Sequence, residues 1–219
     1  MVRCVGLALV LVLASGCCET GGTPEMPPEE RCRMFLHGLG TAMLRYEREH
    51  GSLPASVLRD GSRQTYSWRL ALVPFMDLEP SSERPLASFR FDEAWDSVRN
   101  SRWADEQVLY RVHFQCSAEA KDASYEFTSY LMLVGKNGEP LHGTKAVIVI
   151  ESAHCGVKWL EPRDCVEETL WTGDSPFGPG RLNSDHPRVV HALRADGKVI
   201  EIPKNSTTAA VKRFLHGDD

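Results

Sequence analysis

Apolar residues recur at helical spacing between Arg31 and His50. Cys32, Leu36, Leu39, Met43 and Tyr46 fall on one stripe flanked by Phe35 and Ala42, while Arg33, Arg45, Glu47 and Arg48 lie elsewhere. Gly51 suits the residue that ends a helix in a left-handed conformation, and Pro54 blocks continuation. Gly38 and Gly40 each cost such a helix about 1 kcal/mol relative to Ala. Close packing against a sheet would explain them, so the pattern predicts a helix laid on a core.

The pattern then changes period. Tyr66 to Phe75 places Trp68, Ala71, Leu72 and Phe75 on one helical face, with a strand reading open for Leu70 to Val73. Asp77 to Arg90 reads as loop, and Phe91 to Asn100 as a polar loop carrying Trp95 as an apolar anchor. Val108, Tyr110, Val112 and Phe114 alternate with Leu109, Arg111, His113 and Gln115, which predicts a half-buried strand. Tyr125 to Val134 predicts a second strand. Lys145 to Glu151 predicts a third, and its apolar run from Ala146 to Ile150 marks it as central.

After a loop from Gly156 to Arg181, Val189 to Ala195 and Lys198 to Ile202 read as a hairpin around a two-residue Asp196-Gly197 turn of type I′. That register sets Leu193 opposite Ile200 and His191 opposite Ile202. It gives Val189, Leu193, Ile200 and Ile202 one face, with Arg194 and Glu201 paired on the other. A short helix from about Thr207 to His216 follows. A long helix, antiparallel strands and a closing hairpin make an α+β domain.

Composition narrows the function classes. The 219 residues are 42% hydrophobic and 25% charged, as in ordinary globular proteins. A net charge of −5 with no basic run argues against nucleic-acid binding and against electrostatic attraction to anionic membranes.

Residues 1–16 have the form of a secretory signal, with Arg3 before an apolar stretch from Val5 to Ala14 that is too short to span a bilayer. Leu13-Ala14-Ser15-Gly16-Cys17 resembles the bacterial lipobox, which makes Cys17 the expected lipidation site. Two or three acyl chains give the stable anchoring that one chain does not. Cys18 after the acylated position favours the outer membrane by resemblance to other lipoproteins. Residues 17–30, rich in Gly, Pro and Glu, read as a flexible tether, leaving 31–219 as the globular domain.

An oxidising envelope permits disulfides. Cys155 and Cys165 flank the Trp159 loop and form the first candidate disulfide; Cys32 with Cys116 is a second. A zinc set of His154, Cys155, Cys165 and His186 has no ligand spacing to support it, and no metal or cofactor is expected. Asp92, Glu93 and Asp96 offer too few oxygens for calcium. His186 and Asp196 invite an acid/base reading, but the turn accounts for Asp196, and His186 before Pro187 reads as fixing the strand entry. No nucleophile elbow, phosphate loop or paired-His helix occurs.

The ordered set of motifs resembles a known family. Leu39-Gly40 through Tyr46, His50 to Pro54, Ser67-Trp68-Arg69, Pro74-Phe75, Phe91-Asp92 with Trp95-Asp96-Ser97 and Asn100, Phe114 to Ser117, Thr128-Ser129-Tyr130, Val149 to Glu151 and Trp159 to Asp164 follow in order. They end in His186, nine residues, then Asp196-Gly197. Together they are similar to the pilin-like "domain of unknown function 1559" family, with Trp68, Trp95, Trp159, His186, Asp196 and Gly197 as structural signature positions. The resemblance implies a pilin- or pseudopilin-like α+β fold, the N-terminal helix packed on an antiparallel sheet. Such families begin with a prepilin leader and a long apolar helix; here a lipobox stands instead. The reading is a membrane-anchored envelope lipoprotein, not an enzyme, with a structural, assembly or binding role and other envelope proteins as partners. The rival readings are a module binding a small ligand or metal ion at the Trp95 or Trp159 loops, and a metal-dependent hydrolase.

Overall fold

Helix α1 (Pro28–His50) starts three residues earlier than the apolar spacing predicts. Pro28 sits in its first turn, where a missing N–H costs nothing, and Glu29 and Glu30 face the positive end of the helix dipole. Gly51 closes the helix at φ 79°, its N–H donating to the Glu47 carbonyl at 2.7 Å. Residues 28–30, expected in the tether, are therefore helical. This computed structural model describes residues 26–59, 65–76, 86–107, 110, 114–116 and 126–218. The expected signal segment and the expected lipidation site Cys17 lie outside the described residues. Within the described residues no helix is long and apolar enough to cross a membrane.

A short ladder of β1 (Val57–Leu58) and β2 (Tyr66–Ser67) leads into α2 (Trp68–Leu72) and a 3₁₀ turn, Val73–Phe75. The expected helix over Tyr66 to Phe75 is thus divided. Ser67 caps α2 by accepting from the Arg69 N–H, so its first residues are extended. Helix α3 (Val98–Glu106) replaces the end of the expected polar loop; Ser97 caps it, accepting from the Asn100 N–H at 3.2 Å. The strand expected from Val108 to Gln115 falls largely outside the described residues. Where it is described it is not a strand: Tyr110 is helical and Phe114 lies in a turn.

The main sheet has the order β5-β3-β4-β6-β7, formed by β3 (Tyr130–Val134), β4 (Val147–Glu151), β5 (Cys165–Val166), β6 (Val189–Arg194) and β7 (Val199–Pro203). Its pairs are antiparallel except β3 with β5, so the sheet is mixed. The fully buried β4 is the central strand, as its apolar run predicts. A one-turn helix, α4 (Glu167–Leu170), follows β5, and α5 (Thr208–His216) ends the fold with Thr207 as its cap.

Two apolar clusters cover the two faces of this sheet. Leu36, Leu39, Ala42 and Met43 of α1 pack with Trp68, Leu72, Tyr130, Met132, Ile148 and Leu193. Leu131, Leu133, Ile150, Val190, Ala192 and Ile202 pack with Val211 and Leu215 of α5. Alternation along β3 and β6 sends successive side chains to opposite layers. A register irregularity between Val147 and Val149 lets Ile148 and Val149 both join the α1 side.

The closing hairpin departs by one residue from the expected register. Leu193 lies opposite Val199, Ala192 opposite Ile200, and Val190 opposite Ile202. The loop therefore has three residues, Ala195-Asp196-Gly197, closed by Gly197 N–H to Arg194 carbonyl and Arg194 N–H to Lys198 carbonyl, both at 2.9 Å. Gly197 alone takes positive φ, at 80°, a common three-residue solution in which a type I turn ends in a left-handed residue. Asp196 instead accepts the Lys198 N–H on Oδ1. The slip redistributes the faces, as a one-residue shift must. Leu193 and Val199 face α1, whereas Val190, Ala192, Ile200 and Ile202 face α5. Arg194 pairs with Asp196 at 3.4 Å, and Glu201 stands opposite His191, so the expected Arg194–Glu201 pair does not form.

Candidate functional site: a buried Cys-Cys-Glu-His cluster

At the N-terminal end of α1, on the helix side of the sheet, four segments bring polar side chains together. Cys32 comes from α1, Cys116 from the loop before β3, Glu151 from the last position of β4, and His186 from the segment entering β6. All four are buried, and one ligand atom from each lies within 4.8 Å of those of the other three. His186 Nε2 stands 3.2 Å from Glu151 Oε1 and 3.5 Å from Cys116 Sγ. Backbone polar groups hold the frame. The Cys116 N–H donates to Ser129 Oγ at 2.8 Å, and the Tyr130 hydroxyl donates to the Cys32 carbonyl at 3.3 Å.

Glu151 is steered from its other oxygen. The His191 N–H donates to Oε2 at 3.0 Å, and His191 Nδ1 lies 3.2 Å from the same atom. Oε1 makes no hydrogen bond despite its closeness to His186, so its position answers to charge rather than to an aligned N–H. Burial pushes the Glu151 carboxyl up, but its polar contacts with His186 and His191 outweigh that and hold it at about 2. Burial likewise opposes the His186 imidazolium; contacts with Cys32 and Glu151 outweigh it and push His186 up to about 10. The pair is therefore a buried ion pair of carboxylate and imidazolium.

The second polar knot lies under α2. Arg69, with no exposed side-chain surface, gives its guanidinium to the Tyr130 carbonyl at 2.7 Å and to Asp164 Oδ1 at 3.1 Å. Asp164 Oδ1 also accepts from Trp68 Nε1 at 3.0 Å and from the Met132 N–H at 2.8 Å. Burial raises the Asp164 carboxyl to about 6 in spite of Arg69. Trp68 and Asp164, distant in sequence, are thus one structural joint between α2, β3 and the Trp159 loop.

The other predicted residues scatter. His154 is exposed and pairs with Asp185 at 3.0 Å, Cys155 donates to the Thr128 carbonyl at 3.1 Å, and Cys165 packs into the α5-side cluster beside Thr169. The zinc set built on them with His186 is not assembled. Cys32, Cys116, Cys155 and Cys165 are all thiols, so neither candidate disulfide is formed, although the second brings its sulfurs into one cluster. Asp92 is taken by Arg90 and Glu93 by Arg99, each at 3.1 Å. Trp95 and Trp159 share a cavity of about 60 Å³ with Lys158 and Glu126, a space for a few waters where metabolite pockets run to several hundred. Trp159 itself is buried against Trp103 and Phe114.

Glu151 ends an expected strand and His191 lies in the expected hairpin, but sequence alone does not mark either as a partner of His186. The signal is there in retrospect: a carboxylate abutting a fully apolar strand must find a buried partner. Cys32 falls on the apolar stripe of α1, where a thiol passes for a small hydrophobe.

A family profile described as "Protein of unknown function (DUF1559)" matches residues 30–146, just over half of the chain. The chain belongs to the DUF1559 family. The matched segment of this DUF1559 chain holds α1, α2, α3 and β3 with Cys32 and Cys116; Glu151, His186 and the Asp196-Gly197 turn lie beyond it. No curated protein and no solved structure matches the chain.

Proposed function

We propose that this DUF1559 chain is a lipid-anchored protein of the bacterial envelope whose domain serves a structural, assembly or binding role rather than a catalytic one. One observation carries the reading. The side chains that would do chemistry are buried in two separate pairs, His186 with Glu151 and Arg69 with Asp164. A general acid or base must reach a substrate proton; these groups hold elements together instead.

The anchor rests on the lipobox-like Leu13 to Cys17 segment, with the acidic, Pro-rich stretch behind it as spacer. A helix laid on a sheet, its charged face outward, suits pilin-like display with lipid in place of an apolar helix half. Cys18 favours the outer membrane, and the partners are other envelope proteins. The test is metabolic palmitate labelling with membrane fractionation of wild type and Cys17→Ser. Labelling and membrane retention in wild type only are expected; retention of the variant in the membrane without label would overturn the anchor. Crosslinking in cells followed by co-purification then names the partner.

A further inference from the structure

We propose that Cys32, Cys116, Glu151 and His186 form a closed tetrahedral zinc site that ties the first turns of α1 to the sheet. The inference goes beyond the envelope reading and does not depend on the anchor. Four donors from four distant segments converge, with every ligand atom within 4.8 Å of the rest and all four residues buried. Zinc takes thiolate, imidazole and carboxylate ligands at about 2.0–2.3 Å, which places neighbouring donors roughly 3.3–3.8 Å apart in a tetrahedron. The contacts of His186 Nε2 with Cys116 Sγ, 3.5 Å, and with Glu151 Oε1, 3.2 Å, are already near that spacing.

The second observation concerns Glu151. Its Oε1 is buried without a hydrogen bond while Oε2 is held by the His191 N–H and ring. A carboxylate fixed through one oxygen, with the other turned into a cluster of thiols and imidazole, has the arrangement by which an outer partner orients a metal ligand. Two thiolates select zinc over magnesium or calcium, which take oxygen ligands. Four protein ligands leave no open position, so the site is structural. Ligation needs both thiols as thiolates and His186 as neutral imidazole, so uptake of the ion releases protons.

Notably, the same two sulfurs could instead be joined as a disulfide by thiol–disulfide exchange, and the experiment separates the two. The full chain is purified from whole cells lysed in mild detergent without oxygen or chelator. Its zinc is counted by plasma mass spectrometry and its coordination read by X-ray absorption at the zinc edge. About one zinc per chain, with two sulfur and two nitrogen or oxygen neighbours, is expected. Cys116→Ser and Glu151→Gln should lose the ion, and the double variant Cys155→Ser/Cys165→Ser should keep it. Zinc-free protein with a Cys32–Cys116 disulfide in non-reducing peptide maps overturns the proposal, as does bound zinc without sulfur neighbours. If the ligand variants fail to fold, the absorption spectrum of the wild type decides alone. None of these results bears on palmitate labelling at Cys17, so this proposal and the anchor fail separately.

Discussion

Gly40 of α1 packs directly on Gly197 of the hairpin turn: a methyl group at position 40 would lie 3.0 Å from the Gly197 carbonyl oxygen and 2.8 Å from Leu193 Cδ1. The helix needs that glycine because the turn backbone leaves no room for a Cβ. Gly38, two residues earlier, has nothing within 4 Å of such a methyl. Gly40→Ala should therefore destabilise the domain by about 1–3 kcal/mol as overpacking outweighs the helix gain. Gly38→Ala should be neutral or stabilising by up to about 1 kcal/mol. Thermal unfolding of the two variants side by side checks this; equal shifts would sink the packing argument.

The other half of that contact is equally constrained. Gly197 holds φ 80°, and a Cβ there would meet Leu44 Cδ1 at 2.7 Å. Gly197→Val combines a left-handed backbone on a β-branched residue with that clash, and should cost more than about 1 kcal/mol. An unchanged melting temperature would refute the turn geometry.

Asp164 makes stability depend on pH. Its carboxyl is raised from 3.8 to about 6, chiefly by burial, so the folded chain holds that proton more tightly than the unfolded one. The resulting contribution is fully present below pH 3.8 and is lost as pH rises through 6. The shift of about two units corresponds to about 3 kcal/mol. The stability of wild type relative to Asp164→Asn should accordingly fall across that interval and level off above it. Denaturant midpoints at a series of pH values test this, and a constant or rising difference would contradict it.

Arg69 is fully buried, and its side chain bonds to the Tyr130 carbonyl, Ser67 and Asp164. A lysine keeps the charge but loses the planar fork that reaches three partners at once. Arg69→Lys should destabilise by roughly 2–4 kcal/mol, by analogy with breaking a buried pair, and a loss below about 0.5 kcal/mol would show that the fork is dispensable.

Local patterns carried much of the fold. Helix α1, the central strand β4 and the last helix each follow from a period or an apolar run that a short window contains. Helix α3 is hidden in the sequence because only Asn100, Trp103 and Ala104 are buried while the apolar Val98 is exposed, which blurs the helical stripe; the Ser97 cap is its available sign. The hairpin register turned on a single residue, since Asp-Gly fits both a two-residue loop and the end of a three-residue one. The candidate site was least legible. His186 was visible as a signature position, but its partners Cys32, Cys116 and Glu151 come from three other segments, and only tertiary packing sets them together. Arg69 and Asp164 likewise meet across 95 residues.

The central claim is that the buried signature chemistry holds the fold rather than acting on a substrate. Equilibrium unfolding of Glu151→Gln against wild type at neutral pH tests it most directly, since Glu151 touches His186 and His191 and caps the central strand. Removing one partner of a buried pair should cost about 3–5 kcal/mol. A variant as stable as the wild type would contradict a fold-holding role for Glu151 and His186.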